Sequence, residues 1–253
     1  MIGPNKNKNH LNHLKITKEK ILVEQEKSGI IRTPTGIPGF DELIQGGFVK
    51  GSINLISGDA GTNKSIFGIQ FLYNGITKYN ENGVFISFEE KKENVYRAMK
   101  LFGWDLQKLE DDGKFIFLEY TPEQVEAVIK TGGGIASDII TSNNTKRVVI
   151  DSITAVTTLY ESSVKQRKIL LSLFNTIRKW GCTGLLISEV AQNTHEHVPT
   201  IEEYEVDGDI LLYSVLEGNI RIKYIEVFKM RGTNHSNKIY ILDLNHNGLS
   251  IRK

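Results

Sequence analysis

Between residues 52 and 189, short runs that are apolar on both of their alternating faces recur, each followed by a longer stretch with helical spacing. They are INLIS within 52–57, GVFISF at 83–88, FIFLEY at 115–120, RVVID at 147–151 and GLLISE at 184–189. Such runs, interleaved with helices, predict a parallel sheet covered on both sides. In a sheet of that kind ligands gather at the carboxyl ends of the strands. After Asp207 the texture changes: ILLYSVL, the turn Glu217-Gly218-Asn219, IRIKYIEVFKM and KIYILDL predict an antiparallel meander. Upstream, Pro34, Gly36, Pro38 and Gly39 mark a structured turn, and Gly46 and Gly47 close the next short segment. Residues 1–30 form a Lys- and Asn-rich extension in which Leu11, Leu14, Ile21 and Leu22 are spaced loosely like one face of a helix. It reads either as a solvated tail or as a helix docking on a neighbouring subunit. The domain proper is residues 31–253.

Composition narrows the class. With 253 residues, 40% of them hydrophobic, the chain can bury one good core, and α/β folds of this length are often single domains. A formal net charge of +1 gives no global pull toward nucleic acid or an anionic membrane. Cys182 is the only cysteine, which excludes an internal disulfide and a cysteine-based metal cluster, and it reads as a small buried residue beside a strand. No secretory leader is recognised and no apolar run approaches the roughly 20 residues that span a bilayer. The expectation is a cytoplasmic protein with no membrane partner.

The segment GDAGTNKS, residues 58–65, lies between the run INLIS and a helical stretch that starts near Ile66. It nearly matches the phosphate-binding pattern G-x-x-x-x-G-K-[ST], in which backbone N–H groups wrap phosphates, the lysine reaches the β- and γ-phosphates and the hydroxyl ligates Mg²⁺. Gly58, Lys64 and Ser65 fit, and Asn63 stands where the second glycine belongs. That glycine usually adopts positive φ, which asparagine reaches at a cost of about 1 kcal/mol. The loop is therefore expected to form, with Gly58, Asp59, Ala60, Gly61, Thr62, Asn63, Lys64, Ser65 and Ile66 around the phosphates. Whether the amide crowds them stays open.

Two further strand ends carry acids. Asp151 closes the run RVVID, the place of a carboxylate that holds Mg²⁺ opposite the loop serine, although a lone Asp there is more often a cap or a turn residue. Glu89 and Glu90 follow FISF. Read as a continuing strand, they point opposite ways, one toward the γ-phosphate to polarise an attacking water and one anchoring the loop. Which does which is not decided by the sequence, and a solvated charge pair is the plain alternative.

These residues, with GIPGFDELIQGG, IQFLYNG, GVFISFEE, FGWDLQKL, RVVIDSIT and FKMRGTNH, give the chain its resemblance. From about residue 33 to 251 it resembles one ATPase domain of the KaiC family, within the wider RecA and RadA group. The resemblance implies an α/β fold, a RecA-like core with a mostly parallel sheet and a C-terminal antiparallel meander. It implies ATP and Mg²⁺ as ligands, Lys64 and Ser65 on triphosphate and metal, Asp151 at the metal, and Glu89 and Glu90 as including the catalytic base. It also implies that Lys229, Arg231 and His235 enter the nucleotide site of an adjacent subunit in a hexameric ring. Lys229 and Arg231, two residues apart at the end of a predicted strand, fall on one face and can approach one phosphate.

Departures from the family limit what carries over. Where its clock members phosphorylate adjacent Ser and Thr side chains, YEVDGDI offers Tyr204 and Glu205, so autokinase activity of that type is not expected. Residues 189–209 hold Glu196, Glu202, Glu203, Glu205 and Asp207 with no Lys or Arg, the wrong sign for contacting nucleic-acid phosphates. His195 and His197 in the same stretch lack the spacing of a metal site. The first expectation is an ATP-hydrolysing ring with sites shared between subunits and an unidentified protein client. The alternatives are a nucleotide-gated scaffold with little turnover because of Asn63, and a DNA-binding recombinase paralogue.

Overall fold

In a computed structural model, which describes residues 29–190 and 199–252, the apolar runs become the strands they predict. The 1–30 extension, save its last two residues, and His195, His197 and Glu196 lie outside the described residues. A two-stranded ribbon, β1 (Arg32–Thr33) with β2 (Phe48–Val49), precedes the main sheet. The parallel strands are β3 (Ile53–Gly58), β4 (Gly83–Ser87), β5 (Phe115–Glu119), β6 (Arg147–Asp151) and β7 (Thr183–Glu189). The meander is β8 (Gly208–Glu217), β9 (Ile220–Met230), β10 (Tyr240–Asn245) and β11 (Gly248–Arg252). All nine from β3 onward form one sheet, in the order β11-β10-β9-β8-β3-β7-β6-β4-β5.

The meander is not a separate layer. β8 pairs in parallel with β3 and antiparallel with β9, so the first meander strand also belongs to the parallel sheet. Its run ILLYSVL is apolar on both faces because it is an interior strand. β11, which the sequence reading left unassigned, pairs antiparallel with β10 and closes the edge.

Alternation along the strands builds two cores. Ile56, Phe85, Val149, Leu185 and Ile187 join one, against Phe67, Phe71 and Leu72 of α1 (Lys64–Tyr79). Leu55, Val84, Ile86, Val148, Ile150 and Leu186 join the other, against Leu170, Leu173 and Phe174 of α7 (Ser163–Trp180). Between them in sequence lie α2 (Lys92–Met99), α3 (Leu106–Asp111), α4 (Pro122–Lys130), α5 (Gly134–Ser142) and α6 (Thr154–Thr157), and α8 (Ile201–Glu205) follows. The close approach of α1 to β6 depends on Gly75, where a Cβ would lie 2.4 Å from Arg147 Cδ. Arg147 is fully buried there; it donates to Glu81 and to the Phe71 carbonyl and lies over the Phe71 ring. Among the described residues no helix is long and apolar enough to cross a membrane.

Candidate functional site

The segment 58–65 leaves the carboxyl end of β3 and turns into α1, the strand-loop-helix order a phosphate loop requires. Asn63 adopts φ 77° and ψ 24°, the left-handed conformation expected where glycine usually stands. Its carbonyl accepts the amide of Phe67, the first bond of the helix. Gly61 takes φ 77° with no atom within 4 Å of an added Cβ, whereas a Cβ at Gly58 would lie 2.6 Å from the Leu212 carbonyl oxygen. Lys64 Nζ donates to the carbonyls of Gly58 and Asp59, each at 2.9 Å, so the ammonium lies inside the loop. Burial lowers its pKa, and Glu189, Asp151, Asp59 and Glu89 oppose that shift.

Asp151 ends β6, with the Ser65 hydroxyl near enough to its carboxylate to favour the ionised form. Burial pushes Asp151 up to about 6; Ser65 and Lys64 draw it back, while Glu90 and Glu89 push it further up. A serine oxygen and a carboxylate side by side are hard oxygen donors of the kind Mg²⁺ takes alongside phosphate oxygens. Among the described residues no group of three or more His, Cys, Asp or Glu side chains is arranged to hold a metal by itself.

The glutamate pair lies at the same edge, but not as a continuing strand. β4 stops at Ser87, whose hydroxyl accepts the amide of Glu90 and donates to its carbonyl, so residues 88–90 bend away. Glu89 and Glu90 therefore do not alternate across a strand as the sequence predicts. Burial raises the pKa of Glu89, Glu189 and Glu90 raise it further, and Lys64 lowers it.

Lys229, Arg231 and His235 lie elsewhere. β8 starts beside Asn54 and passes Gly58 at Leu212, so its amino end, where Gly208 faces Met230, is the sheet edge remote from the phosphate loop. There Lys229 Nζ donates to the Glu203 carbonyl at 2.6 Å, and Arg231 donates to the Tyr204 carbonyl and to Asp207. Both cations thus reach one segment, as their spacing predicts. A bulge at Phe228 contributes: Val227 faces Ile210 but Lys229 faces Asp209, so Met230 is buried in the same core as Ile225 and Val227. His235 Nδ1 is 3.1 Å from the Ser236 carbonyl oxygen, in a turn packed on Leu43 and Gln45.

Two residues at the loop edge escaped the sequence reading. Glu189 ends β7 opposite Gly58, and its amide donates to Thr154 Oγ1; the rule that flagged Asp151, an acid closing an apolar run, applies to it equally. Lys223 donates to Asn63 Oδ1 at 2.8 Å, and only its interruption of the apolar phase of Ile225 and Val227 signalled it. Of the seven acids at 189–209, Glu202, Glu203 and Asp209 are buried, Glu205 pairs with Arg167 and Asp207 with Arg231. The acidic surface there is smaller than the count implies.

Comparison with known proteins agrees with this fold. The family model described as "ATPase: KaiC" matches residues 33–253. The circadian clock oscillator protein KaiC of Synechococcus elongatus is 36% identical over 237 residues, 89% of this chain and 45% of that protein. The circadian clock protein KaiC3 of a Synechocystis strain is 35% identical over 85% of this chain and 44% of its own length. The chain thus spans less than half the length of these relatives. The crystal structure of a KaiC-like protein from Pyrococcus horikoshii superposes with a TM-score of 0.78 at 34% identity, covering 88% of this chain and all of that one. With a RecA-like sheet, a phosphate loop at its carboxyl edge and a family match across the whole domain, the chain belongs to the KaiC family of ATPases.

Proposed function

We propose that this protein hydrolyses ATP in sites completed by a neighbouring copy of the chain, within a ring whose sixfold size follows from the resemblance. The loop backbone and Lys64 hold the triphosphate, and Glu89 or Glu90 takes the proton of the water that attacks in line at the γ-phosphorus. Mg²⁺ held at Ser65 and Asp151 would polarise the phosphate oxygens. Lys229 and Arg231 of the neighbour, with His235 beside them, offset the charge that develops as the bond to the leaving ADP breaks. Cations supplied in trans are worth about 10³ to 10⁵ in rate.

The observation that carries this reading is the separation of the two groups of residues. Lys64, Ser65, Asp151, Glu89 and Glu90 occupy the carboxyl edge of the sheet, and Lys229 and Arg231 the opposite edge of the same chain. Asn63 keeps the left-handed turn of the loop, which supports turnover over a scaffold disabled at that position.

Mixing two inactive variants tests the proposal. Lys64→Ala removes the loop cation and keeps Lys229 and Arg231; the double variant Lys229→Ala with Arg231→Ala does the reverse. Each alone should release little phosphate from ATP. Assembled together one to one in a head-to-tail ring, they should recover about a quarter of the wild-type rate, since one junction in four joins an intact loop to intact cations. A mixture as inactive as its components would refute sharing of the site.

A further inference from the structure

A side-chain hydrogen bond from Lys223 to Asn63 joins the hairpin of β8 and β9 to the phosphate loop. Gly58 is opposite Leu212, and Lys223 faces Ser214, so Lys223 lies two positions beyond the end of the β3 pairing, level with the loop. An ammonium only donates hydrogen bonds, so the 2.8 Å contact fixes the amide, with Oδ1 toward Lys223 and Nδ2 left as a donor. That Nδ2 is buried and has no hydrogen-bond acceptor. Lys223 has a pKa lowered by burial alone, and among the described residues no carboxylate pairs with it. Two adjacent donors on a phosphate loop thus lack the same thing, an anionic acceptor. Asn63 and Lys223 are each only partly buried as residues, while Nδ2 itself is covered, so a phosphate oxygen would take the place of the atoms that cover it.

We infer that Asn63 and Lys223 form an additional arm of the phosphate site, which takes an oxygen of the nucleotide's phosphate chain. The departure from glycine is then a gain of a ligand, with Lys223 orienting the amide and adding charge. This rests on the nucleotide-binding reading above. It also gives β9 contacts with two sites: Lys223 with its own loop, and Lys229 at the far end with the neighbour's.

The test is ATP binding by titration calorimetry with the full chain. Glycine takes φ 77° freely, so Asn63→Gly will fold. Asn63→Gly and Lys223→Met should each weaken ATP binding about ten- to a hundredfold, the loss expected of a hydrogen bond to a charged group. Because both act on one oxygen, the double variant should bind about as the weaker single one, and Lys223→Met should flatten the salt dependence of binding. Asn63→Gly binding ATP as tightly as wild type, or fully additive losses, would overturn the inference while leaving the functional proposal standing. A wild-type chain that binds no ATP would remove both.

Discussion

Asp209 is fully buried on β8 across from Lys229, and among the described residues no side-chain donor reaches either oxygen. Burial, then Glu203 and Glu226, push its carboxyl from an ordinary 3.8 up to about 8, against the pull of Lys229 and the Ile210 amide. Tyr213, on the same strand, donates to Glu226 and completes the group. The folded protein therefore keeps a proton on Asp209 that the unfolded chain loses above about pH 4. Stability from this group is complete below that pH and falls as pH rises through about 8. Asp209→Asn removes the dependence. Its unfolding free energy relative to wild type should rise by roughly 1–3 kcal/mol between pH 5.5 and 8.5, measured by urea denaturation. A pH-independent difference would mean that Asp209 is ionised throughout. The proton also bears on the candidate site, because Asp209, opposite Lys229 on β9, offsets that cation's charge only when it is ionised.

The bend at 88–90 distinguishes two carboxylates that sequence alone left equivalent. Glu89 and Lys64 act on one another electrostatically, and Glu189 adds negative charge beside Glu89, as suits a proton acceptor near the γ-phosphate. Glu90 is tied through its backbone to Ser87. Glu89→Gln should cut phosphate release about 10²- to 10⁴-fold with ATP binding kept, and Glu90→Gln should cost less. Equal losses would mean that the pair acts as a unit. The same bend shows where the sequence stopped being legible. β6 coincides with RVVID and β3, β5 and β7 fall within a residue of their runs, because β3, β6 and β7 are buried on both faces and the edge strand β5 keeps partly buried apolar residues on its second face, so the local pattern carries the signal. The end of β4 depends on a hydroxyl folding back on the backbone, and the bulge at Phe228 on which residues of β8 face β9. The bulge is non-local, and the Ser87 bend, although only three residues long, turns on a hydroxyl's geometry that no apolar pattern announces. Asp151 was legible because a short motif defines its position, whereas Lys223 meets Asn63 across 160 residues of chain.

In the function proposed above, the two edges of the sheet set how copies of the chain would meet. From Gly208 to Leu212, β8 runs the length of β3, about 13 Å at the usual rise per residue, before it comes level with the phosphate loop. A lysine side chain at the far edge cannot cover that distance along a filled interior, so the proposed role of Lys229 and Arg231 places them at a γ-phosphate on another molecule. The contact this requires is head to tail, the carboxyl edge of one chain against the amino edge of the next. Such contacts close into a ring when the rotation permits. Phosphate release per subunit from Mg²⁺-ATP should therefore climb with protein concentration and then level off, in step with the assembled fraction seen by sedimentation. A constant, non-zero rate per subunit from monomer to assembly would place every catalytic group in one chain and overturn the proposed sharing of the site. ATP bound without turnover at any concentration would instead make the loop a nucleotide-gated contact, with assembly itself as the output.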